Sequence, residues 1–381
     1  MEIIYLDYNA TTPVDPAVLE RMMPFFDRHY GNPSSKGHAM GWAAEEAVTI
    51  AREELAELIG GEAEEIVFTS GATESLNTAI KGIARSRRNH GRHIVTTAAE
   101  HSAVVESCRT LEREGFSVTF LPVDENGLVS RARLEEAITD GTTLVAIMWA
   151  NNEIGSVNRI DDLAAAAHDR GALFVTDATQ AVGKIPVSTG NVDLLACSGH
   201  KFYGPKGVGA LWVRRGIDLP PLLHGGGQED GARSGTVNVP GAVGIGAAAS
   251  VALGRLAEDA SRLSGLRDRL EEELTGRLPV KINGSGADRL PQTSSITFPG
   301  VRAANLLTEL RALALSAGSA CSSGTGKPSR VLKSIGLSDA EALSTIRFSL
   351  GRFTTEEEVD RAISLVKVAC ERVSSSSPAT V

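Results

Sequence analysis

One lysine in this chain sits where an apolar run gives way to a turn. Residues 193–197 are mostly apolar; Ser198, Gly199 and His200 follow, then Lys201, then a segment rich in Gly and Pro. A lysine in a partly desolvated pocket loses proton affinity, and its neutral amine can form a Schiff base with an aldehyde. A lysine reaching from a turn into solvent does neither, and Lys201 alone does not decide between the two. Asp177 ends another apolar run. A carboxylate there is costly unless it is paired. Its position suits a ligand crevice at the carboxyl edge of an open α/β sheet, although an Asp capping the next segment would look the same.

The stretch Ser70-Gly71-Ala72-Thr73-Glu74 follows a strand-like run and opens a helical pattern. Glycine permits close backbone approach, and small hydroxyl residues stand where helix N–H groups are free, which makes an anion site. An ordinary helix cap has the same composition. Together the three stretches are more specific than each is alone. A phosphate site, a carboxylate for a pyridinium nitrogen and a Schiff-base lysine are what pyridoxal 5′-phosphate requires. His101, opening a helix after a strand, could stack on such a ring or simply start the helix.

Cys321 lies among Gly, Ser and Thr from Ser316 to Ser329. Cysteine prefers burial, so a thiol in a segment of this composition is unusual. A nucleophile that must visit two places would suit a mobile loop; an incidental thiol is the alternative.

The elements that would position these residues alternate along the chain. Strands are expected at residues 65–70, 93–97, 116–122, 143–150, 172–177, 192–197 and 209–213, with helices at 41–59, 73–87 and 101–114. The strands are short and apolar on both faces, as in a mostly parallel sheet covered by helices. Beyond about residue 241 the texture changes to a long helical region, then strands at 294–298 and 345–349 and helices at 303–313 and 355–373. The expected fold class is α/β. A large domain spans residues 14–250, a smaller α+β domain is formed by 1–13 with 251–373, and 374–381 are a disordered tail.

Composition narrows the partners. Lys and Arg number 38 against 47 Asp and Glu, a net charge of −9, so nucleic acid is not an expected partner despite the local group Arg85, Arg87 and Arg88. Cys108, Cys197, Cys321 and Cys370 make neither a disulfide framework nor a metal-ligand spacing, so no metal is expected and a reducing cytoplasm fits. No basic-then-apolar leader opens the chain and no uninterrupted apolar run approaches ~18 residues, so neither a signal peptide nor a membrane span is expected.

The ordered set of motifs resembles the cysteine desulfurases of the NifS/IscS kind, within the fold-type I pyridoxal-phosphate enzymes and the class V aminotransferase superfamily. It runs through residues 5–12, 31–33, 70–74, 100–101, 151–155, 177–180, 198–201, 233–236, 318–321 and 346–352. The resemblance implies a large domain with a mostly parallel seven-stranded sheet. It implies that Lys201 is the Schiff-base lysine, Cys321 the persulfide-forming cysteine, His101 the ring-stacking residue and Asp177 the pyridinium partner. Thr73, Ser198 and His200 would hold the phosphate, with Thr236 supplied across a homodimer interface, and Ala72 would also bind the cofactor. Asn152 and Gln180 would touch the ring and its hydroxyl. Arg347 would bind the substrate carboxylate, with Asn32 near it. The implied reaction takes L-cysteine to L-alanine, with Lys201 and His101 as proton carriers, and passes sulfur from Cys321 to an acceptor protein for iron–sulfur cluster or other thio-compound synthesis. The setting of Cys321 fits the long-loop group.

Two departures stand out. Asp230 occupies a position where relatives usually carry a basic residue, and with Val373 close to the last residue the segment by which housekeeping relatives help dock a scaffold protein is expected to be missing. Three rivals remain at this level: a selenocysteine lyase, a class V aminotransferase with no use for Cys321, and a non-catalytic sulfur-relay subunit. The last should have lost Lys201 or Asp177, and both are present.

Overall fold

The fold is that of a computed structural model, which describes residues 3–318 and 327–376. Cys321 lies outside the described residues, as do residues 377–381 of the expected tail. The strands, in chain order, are β1 (Ile4–Tyr5), β2 (Ile66–Thr69), β3 (His93–Thr97), β4 (Ser117–Leu121), β5 (Thr142–Ala146) and β6 (Leu173–Asp177). Then follow β7 (Leu194–Ser198), β8 (Gly209–Val213), β9 (Lys281–Asn283), β10 (Thr293–Thr297), β11 (Leu313–Ala314) and β12 (Thr345–Ser349).

Seven strands form the main sheet in the order β2-β8-β7-β6-β5-β3-β4. Pairs from β7 through β4 are parallel, whereas β8 runs antiparallel to both β2 and β7. The sheet is therefore mostly parallel, as expected for an α/β fold. Strands β5 and β7 are buried at every position because helices cover both faces. One face packs Leu76, Ile80 and Ile83 of helix Ala72–Ser86 and Leu111 of helix Ser102–Arg113 against Ile94, Leu144 and Leu194. The other packs Val48 and Leu55 of helix Ala39–Ile59, Leu163 of helix Ile160–His168 and Ile245 against Val145, Phe174 and Leu195.

A second buried cluster forms around the antiparallel sheet β12-β10-β9, where Ile296, Phe348 and Val359 meet Leu6, Leu266 and Leu270. Helix Val239–Thr275 joins the two clusters, with Ala242–Ala252 positions in the first and Leu263–Leu274 positions in the second. By length and composition this helix could cross a membrane, but 61% of its most apolar stretch is buried inside the protein, as a core helix is.

Two expectations for the C-terminal half are corrected. Residues 303–313 are not one helix: Ala303–Glu309 is helical, and β11 follows, paired in parallel with β1. That pairing is made by residues some three hundred positions away, which no local pattern reports. Residues 374–376, expected in the tail, continue the last helix, Glu356–Ser376. Extending a formed helix adds one hydrogen bond per residue and needs no new nucleus.

Candidate active site

The carboxyl ends of β2, β5, β6 and β7 open onto a cavity of about 550 Å³. A ligand crevice belongs at this edge of an α/β sheet. At one corner stands helix Ala72–Ser86, whose first N–H groups have no intrahelical acceptor. The turn into it is made by Gly71 at φ +152, a conformation that side-chain-bearing residues rarely adopt. Ala72, Thr73, Ser198 and His200 all line this corner. Just behind, Glu74 accepts from Ser70 N at 2.9 Å and from Arg233 Nε at 2.9 Å. Burial works against its charge, but the bonds from Arg233 and Ser70 outweigh burial and hold its carboxyl below the usual range.

Asp177 ends β6 and lines the cavity, with Oδ1 accepting from Thr179 N at 3.0 Å. Opposite elements bring His101 to the same space. Its Nδ1 accepts from Ala103 N at 3.2 Å and so caps helix Ser102–Arg113, while the ring also lines the cavity. His101 therefore starts its helix and lines the cavity at once. Burial lowers its pKa, the Asp177 charge opposes that, and Lys201 and Arg330 reinforce it. With Nδ1 accepting, a neutral ring carries its proton on Nε2.

The floor is laid by the chain near its start. Lys201 Nζ donates to the carbonyls of Asn9 at 2.8 Å and Ala10 at 2.7 Å. The Gln180 amide donates to the same Asn9 carbonyl at 3.0 Å, and Lys184 Nζ donates to Gln180 Oε1 at 2.6 Å. The Asn9 side chain reaches Asn152 O, Thr293 Oγ1 and Gln292 Nε2. Thr11 Oγ1 meets His200 Nδ1 at 3.1 Å. Burial, then the charges of Lys201, Lys206 and Lys184, push His200 down to about 4, so this ring is neutral near pH 7.

Arg347 enters from β12. It is almost fully buried, with Nη2 donating to Asp7 Oδ1 at 2.6 Å and Nη1 to Asn152 O at 2.8 Å. Each Nη carries a second N–H, so the guanidinium keeps donors for a further carboxylate.

The cavity thus gathers Ala72, Thr73, His101, Asn152, Asp177, Gln180, Ser198, His200, Lys201 and Arg347. Asn32 and Thr236 do not line it; both are exposed on this chain. Sequence reasoning assigned no role to Asp7, Asn9, Ala10 and Thr11, although residues 5–12 stood out as a motif. The signal available was the run of small polar residues after β1. Among the described residues no cluster of His, Cys, Asp and Glu could hold a metal.

A profile of the class V aminotransferases matches residues 4–362. The chain belongs to that family. As a class V aminotransferase it is similar to the cysteine desulfurase IscS of Pectobacterium carotovorum, at 49% identity over 98% of this chain and 94% of that protein. Among solved structures it resembles a NifS-like protein with a TM-score of 0.91 and 39% identity, covering 97% of this chain and all of the other. It also resembles SspA in complex with cysteine, with a TM-score of 0.82 and 39% identity, covering 92% of this chain and all of the other.

Members of this family work with pyridoxal 5′-phosphate. The cavity fits that group. It has a size suited to a cofactor, a helix N-terminus and hydroxyls at one corner, a buried carboxylate, an amine and an imidazole around the middle, and the apolar walls of Met148 and Ala150.

Proposed function

We propose that this enzyme is a cysteine desulfurase that takes L-cysteine to L-alanine and leaves the sulfur as a persulfide on Cys321. The observation that carries the reading is the convergence of Lys201, Asp177, His101 and Arg347 on one cavity, in a chain half identical to named cysteine desulfurases. Lys201 would hold the cofactor's aldehyde carbon, Asp177 its ring nitrogen and His101 one face of the ring. Ala72, Thr73, Ser198 and His200 would hold the phosphate, with Thr236 of a second copy. Asn152 and Gln180 would touch the ring and its hydroxyl. Arg347 would take the substrate carboxylate as a charge-assisted pair, with Asn32 nearby.

Bound in this way, pyridoxal phosphate supplies an electron sink for negative charge at the substrate α-carbon. The chain does the rest. Lys201 and His101 carry protons. The Cys321 thiolate attacks the substrate sulfur, the carbon–sulfur bond breaks, and a proton at carbon completes L-alanine. The new sulfur–sulfur bond then serves an acceptor protein, for iron–sulfur cluster or other thio-compound synthesis.

We take the chain as a homodimer of two-lobed subunits, divided at residues 14–250 against 1–13 with 251–373. The separation of the two buried clusters supports the division. Met23, Phe26, Tyr30 and Trp42, each more than half exposed, supply apolar surface for a second copy. A reducing cytoplasm suits the free thiols of Cys108, Cys197 and Cys370.

The test is direct. The cofactor-loaded protein is given L-cysteine, and alanine and Cys321 persulfide are measured in the parent and in Cys321→Ser. The variant should bind cysteine and change its visible absorbance without transferring sulfur. Full alanine release from Cys321→Ser would instead point to an aminotransferase-like or lyase reaction without the thiol.

A further inference from the structure

Glu153 stands outside the residues assigned above, and no step of the proposed reaction uses it. Its side chain is only 5% exposed. It follows Asn152, whose carbonyl accepts from Arg347 and from Asn9. The Ser329 hydroxyl donates to Glu153 Oε2 at 2.6 Å and also accepts from Leu332 N, capping helix Arg330–Ser334. Gly318 packs close to the same carboxyl. A Cβ on Gly318 would lie 3.3 Å from Glu153 Oε2 and 3.4 Å from Ser329 Cβ, and its φ is +80. Positions 318 and 329, which flank Cys321 in the sequence, therefore come together on one buried carboxyl.

Further ties fix the two flanks. Ser316 Oγ donates to the Gly318 carbonyl at 2.9 Å, and Arg347 N donates to Ser316 O at 2.8 Å. The Arg330 guanidinium donates to the carbonyl of Glu100, next to His101. The flanks of Cys321 are thus built into the walls that carry Arg347, Asn152 and His101.

We propose that Glu153 is a positioning residue for sulfur transfer: its carboxyl seats Gly318 and Ser329, and so fixes the points where the chain leaves for Cys321 and returns from it. This rests on the sulfur-carrying role proposed for Cys321. A tethered nucleophile reacts at an effective concentration set by where its tether is fixed, and productive attack needs the reacting atoms about 3–3.5 Å apart. Releasing either flank lowers that concentration without touching the cofactor or the substrate carboxylate. Burial raises the pKa of Glu153, against the lowering effects of Ser329, Arg347 and Arg330. Glutamine, neutral and of the same shape, can still accept from Ser329.

Glu153→Ala, Glu153→Gln and Ser329→Ala are compared with the parent as cofactor-loaded enzymes. Three quantities are read: visible absorbance, KM for cysteine, and the single-turnover rate of Cys321 persulfide formation by mass spectrometry. Glu153→Ala and Ser329→Ala should keep the absorbance and KM and form persulfide about tenfold more slowly or worse. Glu153→Gln should recover most of the rate, and the double alanine variant should lose little more than the worse single. Parent-like rates in both alanine variants overturn the proposal. Parallel loss of absorbance, KM and rate overturns it too, because Glu153 then only supports the wall. Absence of persulfide on the parent sinks the Cys321 assignment and this proposal together, whereas persulfide on the parent with unaffected variants sinks this proposal alone. If Glu153→Ala does not fold, Ser329→Ala decides.

Discussion

Arg347 Nη2 lies 2.6 Å from Asp7 Oδ1, and this pair ties β12 to the chain just after β1. The guanidinium is 2% exposed, so its charge is neutralised here by a carboxylate of the protein itself. Asp7→Asn should leave a buried cation without this anionic partner and cost about 3–5 kcal/mol of stability. L-Cysteine, bringing its own carboxylate, should restore part of that loss. Melting temperatures of parent and variant with and without cysteine check this; an equal cysteine-induced rise in both would exclude any competition between Asp7 and the substrate.

Lys201 is held by two backbone carbonyls at the cavity floor, outside both buried apolar clusters. Lys201→Ala should therefore fold normally, lose the visible absorbance of bound cofactor and lose turnover. Asp177→Asn should keep the cofactor but slow turnover by orders of magnitude, because a neutral amide does not hold the ring nitrogen protonated. Near-parent alanine production in either variant would refute the assignments.

Glu100 gives a pH dependence of defined sign. Its Oε1 accepts from Thr97 Oγ1 at 3.0 Å and Met148 N at 2.9 Å, and burial pushes the carboxyl up to about 8 against the lowering effect of the Met148 bond. Unfolding returns it to 4.5, so between these values the folded state holds a proton that the unfolded state has lost. The stability this contributes is complete below the unfolded value and is lost as pH rises through the folded one. Glu100→Gln should remove that loss, an effect on the order of a few kcal/mol at the alkaline end. Unfolding followed from about pH 5 to about pH 8.5 should show a smaller decline in the variant than in the parent.

The homodimer reading predicts complementation. Thr236 is exposed on its own chain, and Arg233 in the same stretch is anchored to Glu74 in the first turn of helix Ala72–Ser86. Co-expressed Thr236→Val and Lys201→Ala chains should form mixed dimers with one intact site each, built from Lys201 of one copy and Thr236 of the other. Activity of the mixed dimer should approach about half that of the parent. Mixed dimers no more active than the pure variants would place Thr236 outside the partner's site.

Part of this architecture was legible locally. Lys201, Asp177 and His101 each follow a short apolar run with small or polar residues after it, and the carboxyl end of a buried strand looks like that in any α/β sequence. The direction of β8 was not legible, because an apolar run reads the same way parallel or antiparallel. Nor were Asp7 and Asn9, whose partners Arg347 and Lys201 lie 340 and 192 residues away. Arg347 was assigned only through the family resemblance, since a single arginine within a strand pattern has no spacing that marks it. The bond from Ser329 to Glu153, with Gly318 packed close by, is likewise a property of the fold and not of any local run.

The contact between Asn9 N and Ser349 Oγ spans 340 residues and has a consequence for biogenesis. At about 5–20 residues per second, a ribosome needs roughly 17–70 s to make the second partner after the first. During that interval the segment that will bed Lys201 has no β11 or β12 to dock on. The segment that beds Lys201 is thus translated long before the strand that closes against it. Cofactor capture should accordingly wait until β12 has been made and has docked, and a cell short of chaperones should accumulate protein that contains β12 but lacks the cofactor.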